Sequence, residues 1–533
     1  MPQPNILLIT TDQQRYDTIA AAGYPYMITP NLDALASEGC IFQSCYSPNP
    51  VCLPARHNIL TGLSAKYHTF DTNYFDDSHY MPYALPTFPQ ILSDHGYDTA
   101  AIGKMHFQPY RRHNGFARLE LMDEIPRFQE DDDYAMYLKN NGYSSLQSIH
   151  GVRHLLYMQP QQSLVSEKDH GSAWVADRSI AYLRERSLNR PFLLWAGFIE
   201  PHPPFDVPHS YAHLYDDIDL PEPTVTQTPL SALAEENKAI ADNPTKETVH
   251  RIRQLYAAAI TFTDHQIGRI LDELKKQNLA DNTLVIFTSD HGEMLGDLGT
   301  WQKFLPNRPS SCVPMIMRWP GHIQAGSHEF RFADLNDLMP TILDAADLEY
   351  PDHSIQLPGG SLLHMNTKDR RYQYIEHEHG NKRWCSIQDS RYRYTYYYGG
   401  GHEEFFDLLN DPKETANLME TGSMKQNNDC LRLKAECIRM EEKWGLPGYV
   451  IDHQFIKLEP YIPQFYLECN PPMFPENLQK KLPMKPLEEE LEKALADEPG
   501  VDLAHLNTGY FTERGVLKEP LLKEIQKRRR SNS

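Results

Sequence analysis

Asp12, Gln13, Cys52, Arg56, Lys104, His106, His202, Asp290, His291 and Lys303 are the residues whose types and settings could do chemistry in this chain. Two carboxylates, an amide oxygen and an imidazole make a donor set for a hard or borderline divalent cation. Two lysines and an arginine beside them suit a tetrahedral oxyanion. Cys52 lies in "SPNPVCLPARHNILTG", with Pro50 and Pro54 on either side and Arg56 four residues on. Proline fixes φ and biases the preceding residue away from helix, so the segment reads as extended around Cys52. From Ala55 to Gly62 it reads as a helix. Cys52 is thus expected near a helix start, where backbone N–H groups and the positive end of the dipole favour anions.

Short apolar runs supply the elements that must position these groups. "NILLIT" (5–10), "DTAAIG" (98–103), "FLLWAGFI" (192–199), "TLVIFT" (283–288) and "VPMIMRW" (313–319) read as buried parallel strands alternating with helical patterns. The strongest helix is expected at about 248–279, where Ile252, Leu255, Ala259, Phe262, Ile267, Ile270, Leu271 and Leu274 hold one face. This alternation predicts an α/β fold: a large, mostly parallel sheet sandwiched by helices. Each candidate pair follows the C-terminal end of one run, and open α/β sheets bind ligands on that edge. Alone, each group has a bland explanation: an aspartate after a strand caps a helix, and a lysine sits in solvent. Their joint arrival at one sheet edge, in company with Cys52, does not.

After about residue 365 the texture changes to "RRYQYIEHEH", "RWCSIQD" and "RYRYTYYY", which alternate like antiparallel strands around a Gly399–Gly401 turn. The expected organisation is a catalytic α/β domain over 1–365, an α+β subdomain with an antiparallel sheet over 366–450, and an extension rich in proline and aromatics over 451–533. That extension is expected to hold a homodimer or homotetramer together, or to wrap its own subunit. The formal charge of −21 argues against nucleic acid and anionic membranes as partners. No run of about 18 apolar residues is present to span a bilayer. The eight cysteines show no CxxC, and "MPQPNILLITTDQQ" reads as a strand and not a signal peptide, so free thiols and a cytoplasmic location are expected.

"CLPAR" fits the C-x-P-x-R motif of type I sulfatases, and "ILTG" follows at that family's spacing. "PNILLITTDQ", "GYDTAAIGKMH", "PHPPF", "TSDHGE" and "FFDLLNDPKETANL" resemble sulfatase segments in the family's order, over about residues 4–420. The resemblance implies an alkaline phosphatase-like fold and oxidation of Cys52 to Cα-formylglycine by a formylglycine-generating or sulfatase-maturating enzyme. One hydroxyl of the hydrated aldehyde would attack sulfur, and collapse of the other to the aldehyde would expel sulfate. It also implies a metal held by Asp12, Gln13, Asp290, His291 and residue 52. Arg56 would orient the diol, and Lys104 and Lys303 would neutralise sulfate oxygens. His106 would be the base for elimination, and His202 would bind sulfate or assist the leaving group.

Two departures from the family pattern bear on function. Gln13 and His291 stand where Asp and Asn are common, resembling the phosphonate monoester hydrolase and choline sulfatase branch. Fewer anionic ligands weaken the case for calcium alone, the first choice, and admit manganese or magnesium. Arg308 falls where an acidic residue is common, and reads either as a contact to a second anionic group on the substrate or as a surface arginine. The expected activity is hydrolysis of a sulfate ester, on a sulfated carbohydrate or other small organic sulfate. The alternatives are phosphonate or phosphate ester hydrolysis at the same site, and an anion-binding pseudoenzyme with unmodified Cys52.

Overall fold

The computed structural model describes residues 3–463, apart from 75–77, 147, 240–243, 368–369 and 422–423, together with 490 and 493–494. Its centre is an eight-stranded sheet in the order Ser327–Glu329, Cys40–Phe42, Met315–Arg318, Thr283–Ser289, Asn5–Thr11, Phe192–Gly197, Asp98–Gly103 and Arg118–Leu121. Asn5–Thr11 pairs in parallel with Thr283–Ser289 on one side and Phe192–Gly197 on the other. All seven of its residues are buried. Alternate side chains feed different cores: Ile6 and Leu8 join one, with Leu53, Ile59 and Leu60 of the Cys52–Thr61 helix, while Leu7 and Ile9 join the other. That second core takes Trp174 and Val175 from helix Gly171–Glu185 and Ile267, Ile270 and Leu274 from helix Lys246–Lys276. A strand buried on both faces cannot alternate polar with apolar residues, which explains its uninterrupted apolar run.

One strand departs from expectation. "VPMIMRW" is broken at Pro314, and its Met315–Arg318 part pairs antiparallel with both Thr283–Ser289 and Cys40–Phe42. Parallel neighbours need a crossover, usually a long helix. Only the four-residue helix Arg308–Ser311 lies between Ser289 and Cys312, apart from a 3-10 turn, so the chain returns beside the strand it left and reverses. The sheet is therefore mixed. The long helix runs from Lys246 to Lys276, capped by Thr245, whose hydroxyl accepts from the Thr248 N–H at 3.1 Å.

Gln373–His377, Trp384–Gln388, Tyr392–Tyr397 and His402–Asp407 form a separate four-stranded antiparallel meander. Helix Asn428–Trp444 covers one face through Cys430, Leu433 and Cys437, packed with Cys385, Ile387 and Tyr394. The start of the extension lies between this unit and helix Ala232–Ala239: Leu458 bridges Gly399, the Lys382 ammonium sits 5.0 Å over the Tyr461 ring, and Tyr461 bonds Glu236 of that helix. Of the aromatics in the extension, Phe465, Tyr466, Phe474, Tyr510 and Phe511 lie outside the described residues. The seven described cysteines are free. Among the described residues no helix is long and apolar enough to cross a membrane.

Candidate functional site

Four parallel strands end on one edge, and the polar residues that follow them meet there, all buried. Asp12 and Gln13 follow Asn5–Thr11, and Asp290 and His291 follow Thr283–Ser289. Lys104 and His106 follow Asp98–Gly103, and His202 lies five residues beyond Phe192–Gly197. Gly103 makes the approach of its neighbours feasible: it has φ of +94°, and a Cβ there would sit 1.9 Å from the Gly197 carbonyl oxygen. Lys104 then donates its N–H to that same oxygen at 2.8 Å.

Cys52 comes from the helix that crosses beneath this edge. The helix starts at Cys52, three residues before the expected Ala55, with Val51 as its N-cap. Pro54 is no obstacle, because first-turn N–H groups have no intrahelical partner to lose. Gly62 ends the helix with φ of +66°. Cys52 and Arg56 are one turn apart, so they share a helix face. Arg56 reaches Asp290 Oδ2 at 2.9 Å, Asp12 Oδ2 at 3.1 Å and the Lys104 carbonyl at 2.5 Å. Lys104 Nζ lies 2.6 Å from Asp12 Oδ2. Arg56 thus holds the outer oxygen of each central carboxylate, while the inner Oδ1 of Asp290 accepts the Gln13 and His291 N–H groups at 3.1 and 2.9 Å and Asp12 Oδ1 faces Cys52 Sγ.

The inward atoms form a donor set. Single donor atoms of Asp12, Cys52, Asp290 and His291 all lie within 4.8 Å of one another. His291 Nδ1 donates to the Gly292 carbonyl at 3.0 Å, which leaves the Nε2 lone pair facing Asp12 Oδ1 and Asp290 Oδ1, each 3.7 Å away. Burial and the charge of Asp12 push the Asp290 carboxyl up, while Asp12 is lowered to about 2: burial opposes this, and Lys104, His202 and Arg56 prevail. Two buried carboxylates and an oriented imidazole fit a divalent cation. Gln13 sits with φ of +66°, its N–H donating to Asp290 Oδ1 at 3.1 Å. Its side chain is turned so that Oε1 accepts from Lys303 Nζ at 2.8 Å and Nε2 donates to Glu293.

Cys52 Sγ lies 3.1 Å from Lys303 Nζ and 3.2 Å from His291 Nε2. Burial works against ionising the thiol, but Lys303, Lys104 and His291 outweigh it and hold it well below its usual range. Position 52 is therefore built to carry negative charge. His202 Nε2 lies 3.1 Å from Lys303 Nζ and 2.8 Å from Glu124 Oε2, and its Nδ1 donates to the Pro203 carbonyl at 2.6 Å. His106 is buried with φ of +53°, and its Nδ1 has no hydrogen-bond partner. Burial would keep it neutral, yet the Asp123 charge, foremost among the opposing causes, raises it above the ordinary histidine range. Gln13, His106, Gln302 and Phe304 all have positive φ. Such strain, of order 1–3 kcal/mol each, gathers where side chains are aimed for a task.

Ten of the eleven residues singled out in the sequence thus meet in one buried cluster. Arg308 does not join them. Its guanidinium stacks 4.3 Å over the Tyr16 ring and reaches the Gln43 carbonyl, and it lines a different cavity of about 570 Å³ with Tyr46, Arg370 and Glu414. Three site acids had no sequence signal of their own. Glu293 binds Gln13 and stands at the end of "SDHGE". Asp123 and Glu124 follow Arg118–Leu121, a four-residue strand too short to stand out by periodicity.

Residues 4–348 match the model of the family described as Sulfatase, and residues 296–442 match that described as N-sulphoglucosamine sulphohydrolase, C-terminal. The chain is 33% identical over 451 residues to an arylsulfatase of Clostridium perfringens, covering 81% of this chain and 93% of the relative. It is 29% identical over 435 residues to a choline-sulfatase of Rhizobium meliloti, covering 78% and 83%. The phosphonate monoester hydrolase of Agrobacterium radiobacter shares the fold, with a TM-score of 0.71 at 24% identity over 86% of this chain and 100% of that one. An enzyme site at the edge of this sheet and these matches lead to one conclusion: the chain is a hydrolase of the sulfatase family.

Proposed function

We propose that this enzyme hydrolyses a sulfate ester with residue 52, converted to Cα-formylglycine by a maturation enzyme, as its nucleophile. The observation that carries the reading is the setting of Cys52 Sγ, buried within hydrogen-bond reach of Lys303 and His291. Asp12, Asp290, His291 and residue 52 would hold a divalent cation, with Gln13 beside them; when bound, it would acidify the attacking hydroxyl and polarise a sulfuryl oxygen. Arg56 fixes the outer oxygens of both carboxylates and so the direction of the inner ones. Lys104 and Lys303 supply positive charge from two sides of residue 52. His106, with an unpartnered Nδ1, is placed to remove a proton when sulfate is released. His202 faces Lys303 and is placed to serve the leaving group. The substrate class that fits is a sulfated carbohydrate or other small organic sulfate.

A second reading, hydrolysis of a phosphonate or phosphate ester, is favoured by one feature: Gln13 and His291 replace the common Asp and Asn, leaving fewer anions around the transferred group. Relative kcat/KM on 4-nitrophenyl sulfate and a phenylphosphonate ester separates the two. The mass of the residue-52 peptide tests the mechanism, since CH2SH must have become CHO in active protein. Full turnover by protein retaining the thiol, or by Cys52→Ala, overturns it.

A further inference from the structure

Arg308 stands outside the catalytic cluster, in the wall of a cavity of about 570 Å³ that no step of the proposed reaction uses. One wall, with Tyr46, Arg308 and Phe330, comes from the catalytic unit. The other, with Gln388 and Ser390, comes from the antiparallel meander. Arg370 and Arg371 line it just ahead of the first meander strand, Gln373–His377. This volume, at a junction between two units, is what a small-molecule site requires.

Four guanidinium groups line the cavity, those of Arg308, Arg331, Arg370 and Arg371, against two carboxylates, Asp389 and Glu414. Both carboxylates are already held by other arginines, Asp389 by Arg432 at 2.7 Å and Glu414 by Arg393. Arg331 is neutralised by Glu329, and Arg370 by Asp334 and Asp337. Arg308 and Arg371 are not: among the described residues neither is ion-paired with a carboxylate. The Arg308 guanidinium lies 4.3 Å over the Tyr16 ring and donates to the Gln43 carbonyl at 3.3 Å, and its Nε is buried without a hydrogen-bond partner. Arg371 is exposed, 5.2 Å over the Tyr372 ring. In a chain of formal charge −21, two uncompensated cations on one cavity call for an anion.

The rest of the lining selects the kind of anion. Phe330, 72% exposed, offers an apolar face, and Phe332 stands edge-on to Tyr46 at 6.1 Å between centroids. Ser44, Gln388 and Ser390 offer groups that both donate and accept. No glycine lines the cavity to help form a cradle of backbone N–H groups for a phosphate chain. Apolar ring faces, hydroxyls and separated anionic groups together are the chemistry of a charged sugar. We propose that this cavity is a second binding site, for a saccharide carrying sulfate or carboxylate groups. Arg308 and Arg371 take its anionic groups, and a ring face packs on Phe330. None of the lining residues belongs to the catalytic cluster, so the site binds without cleaving. Tyr46 lies six residues before Cys52, and Arg308 five after Lys303. At most about 22 Å of extended chain therefore separates this wall from the cluster, and a saccharide held here stays near residue 52.

The probe is a short dextran sulfate oligosaccharide, titrated calorimetrically into the full-length protein at about 0.15 M salt. Unsulfated dextran of the same length and inorganic tripolyphosphate are the controls. Wild type should bind the sulfated probe and not the unsulfated one, and binding should slow hydrogen exchange in segments 329–333 and 386–391. Arg371→Glu reverses a charge at an exposed position, so it should keep the wild-type melting temperature and weaken binding about tenfold or more. Should that variant fail to fold, Ser390→Trp, which fills the cavity from an exposed turn, takes its place with the same expected loss. Absence of binding, affinity unchanged in the folded variant, or equal affinity for unsulfated dextran would overturn the assignment. Tighter binding of tripolyphosphate, or protection confined to the catalytic edge of the large sheet, would overturn it as well.

Discussion

Replacing Lys303 by methionine keeps the stem of the side chain and removes its charge. The ammonium is held by an amide oxygen at 2.8 Å, a sulfur at 3.1 Å and an imidazole nitrogen at 3.1 Å, none of them a carboxylate. Its charge is therefore available to whatever oxyanion approaches residue 52. A unit charge about 4 Å from developing negative charge is worth about 4 kcal/mol at an effective dielectric near 20. That agrees with the roughly 2.7–4 kcal/mol lost when one oxyanion donor is removed. Lys303→Met should thus lower kcat/KM on 4-nitrophenyl sulfate by about 10²–10³-fold. Part of the loss belongs in KM, because the bound ester is already anionic. Burial tends to discharge Lys303, but Cys52 and other anions outweigh it and raise its pKa above the ordinary lysine value. The group stays charged throughout the working pH range, so the deficit should be the same at every pH. The assay is steady-state kinetics on protein whose residue-52 conversion and metal content match wild type. A loss below about tenfold, or one that appears only at high pH, refutes the reasoning.

Chelation should abolish turnover, and Asp290→Asn should lose both metal and activity while still folding, because the carboxylate sits at the sheet edge and not in either core; active, metal-free protein would contradict this. His106 must be neutral to act as a base, so activity should fall as pH drops through its raised pKa. Asp123→Asn removes the foremost raising influence and should move that acid limb of the kcat profile to lower pH; an unmoved limb assigns the base elsewhere. Truncation after residue 450 followed by light scattering tests the extension: a smaller assembly supports its role between subunits, and an unchanged one ends that role.

What was legible in the sequence, and what was not, follows from how far each signal extends along the chain. Asn5–Thr11 and Thr283–Ser289 are buried on both faces, so Ile6–Ile9 and Leu284–Phe287 are uninterrupted apolar runs, and the switch to "TDQQ" or "SDHG" beyond them marks the sheet edge. The direction of Met315–Arg318 carries no such mark, because an apolar strand looks the same whichever way it runs; the missing crossover helix before it was the available clue. Cys52 and Arg56 are legible as a pair through the C-x-P-x-R motif, while the helix starts three residues before the expected Ala55 because a first turn tolerates proline. Arg308 could not be placed, since five residues beyond Lys303 the chain has already turned away to stack on Tyr16. Glu124 shows the deeper limit. A buried acid acquires meaning only from the charges around it, here His202, Lys104 and Arg153, which come from three other segments. No local pattern could announce it.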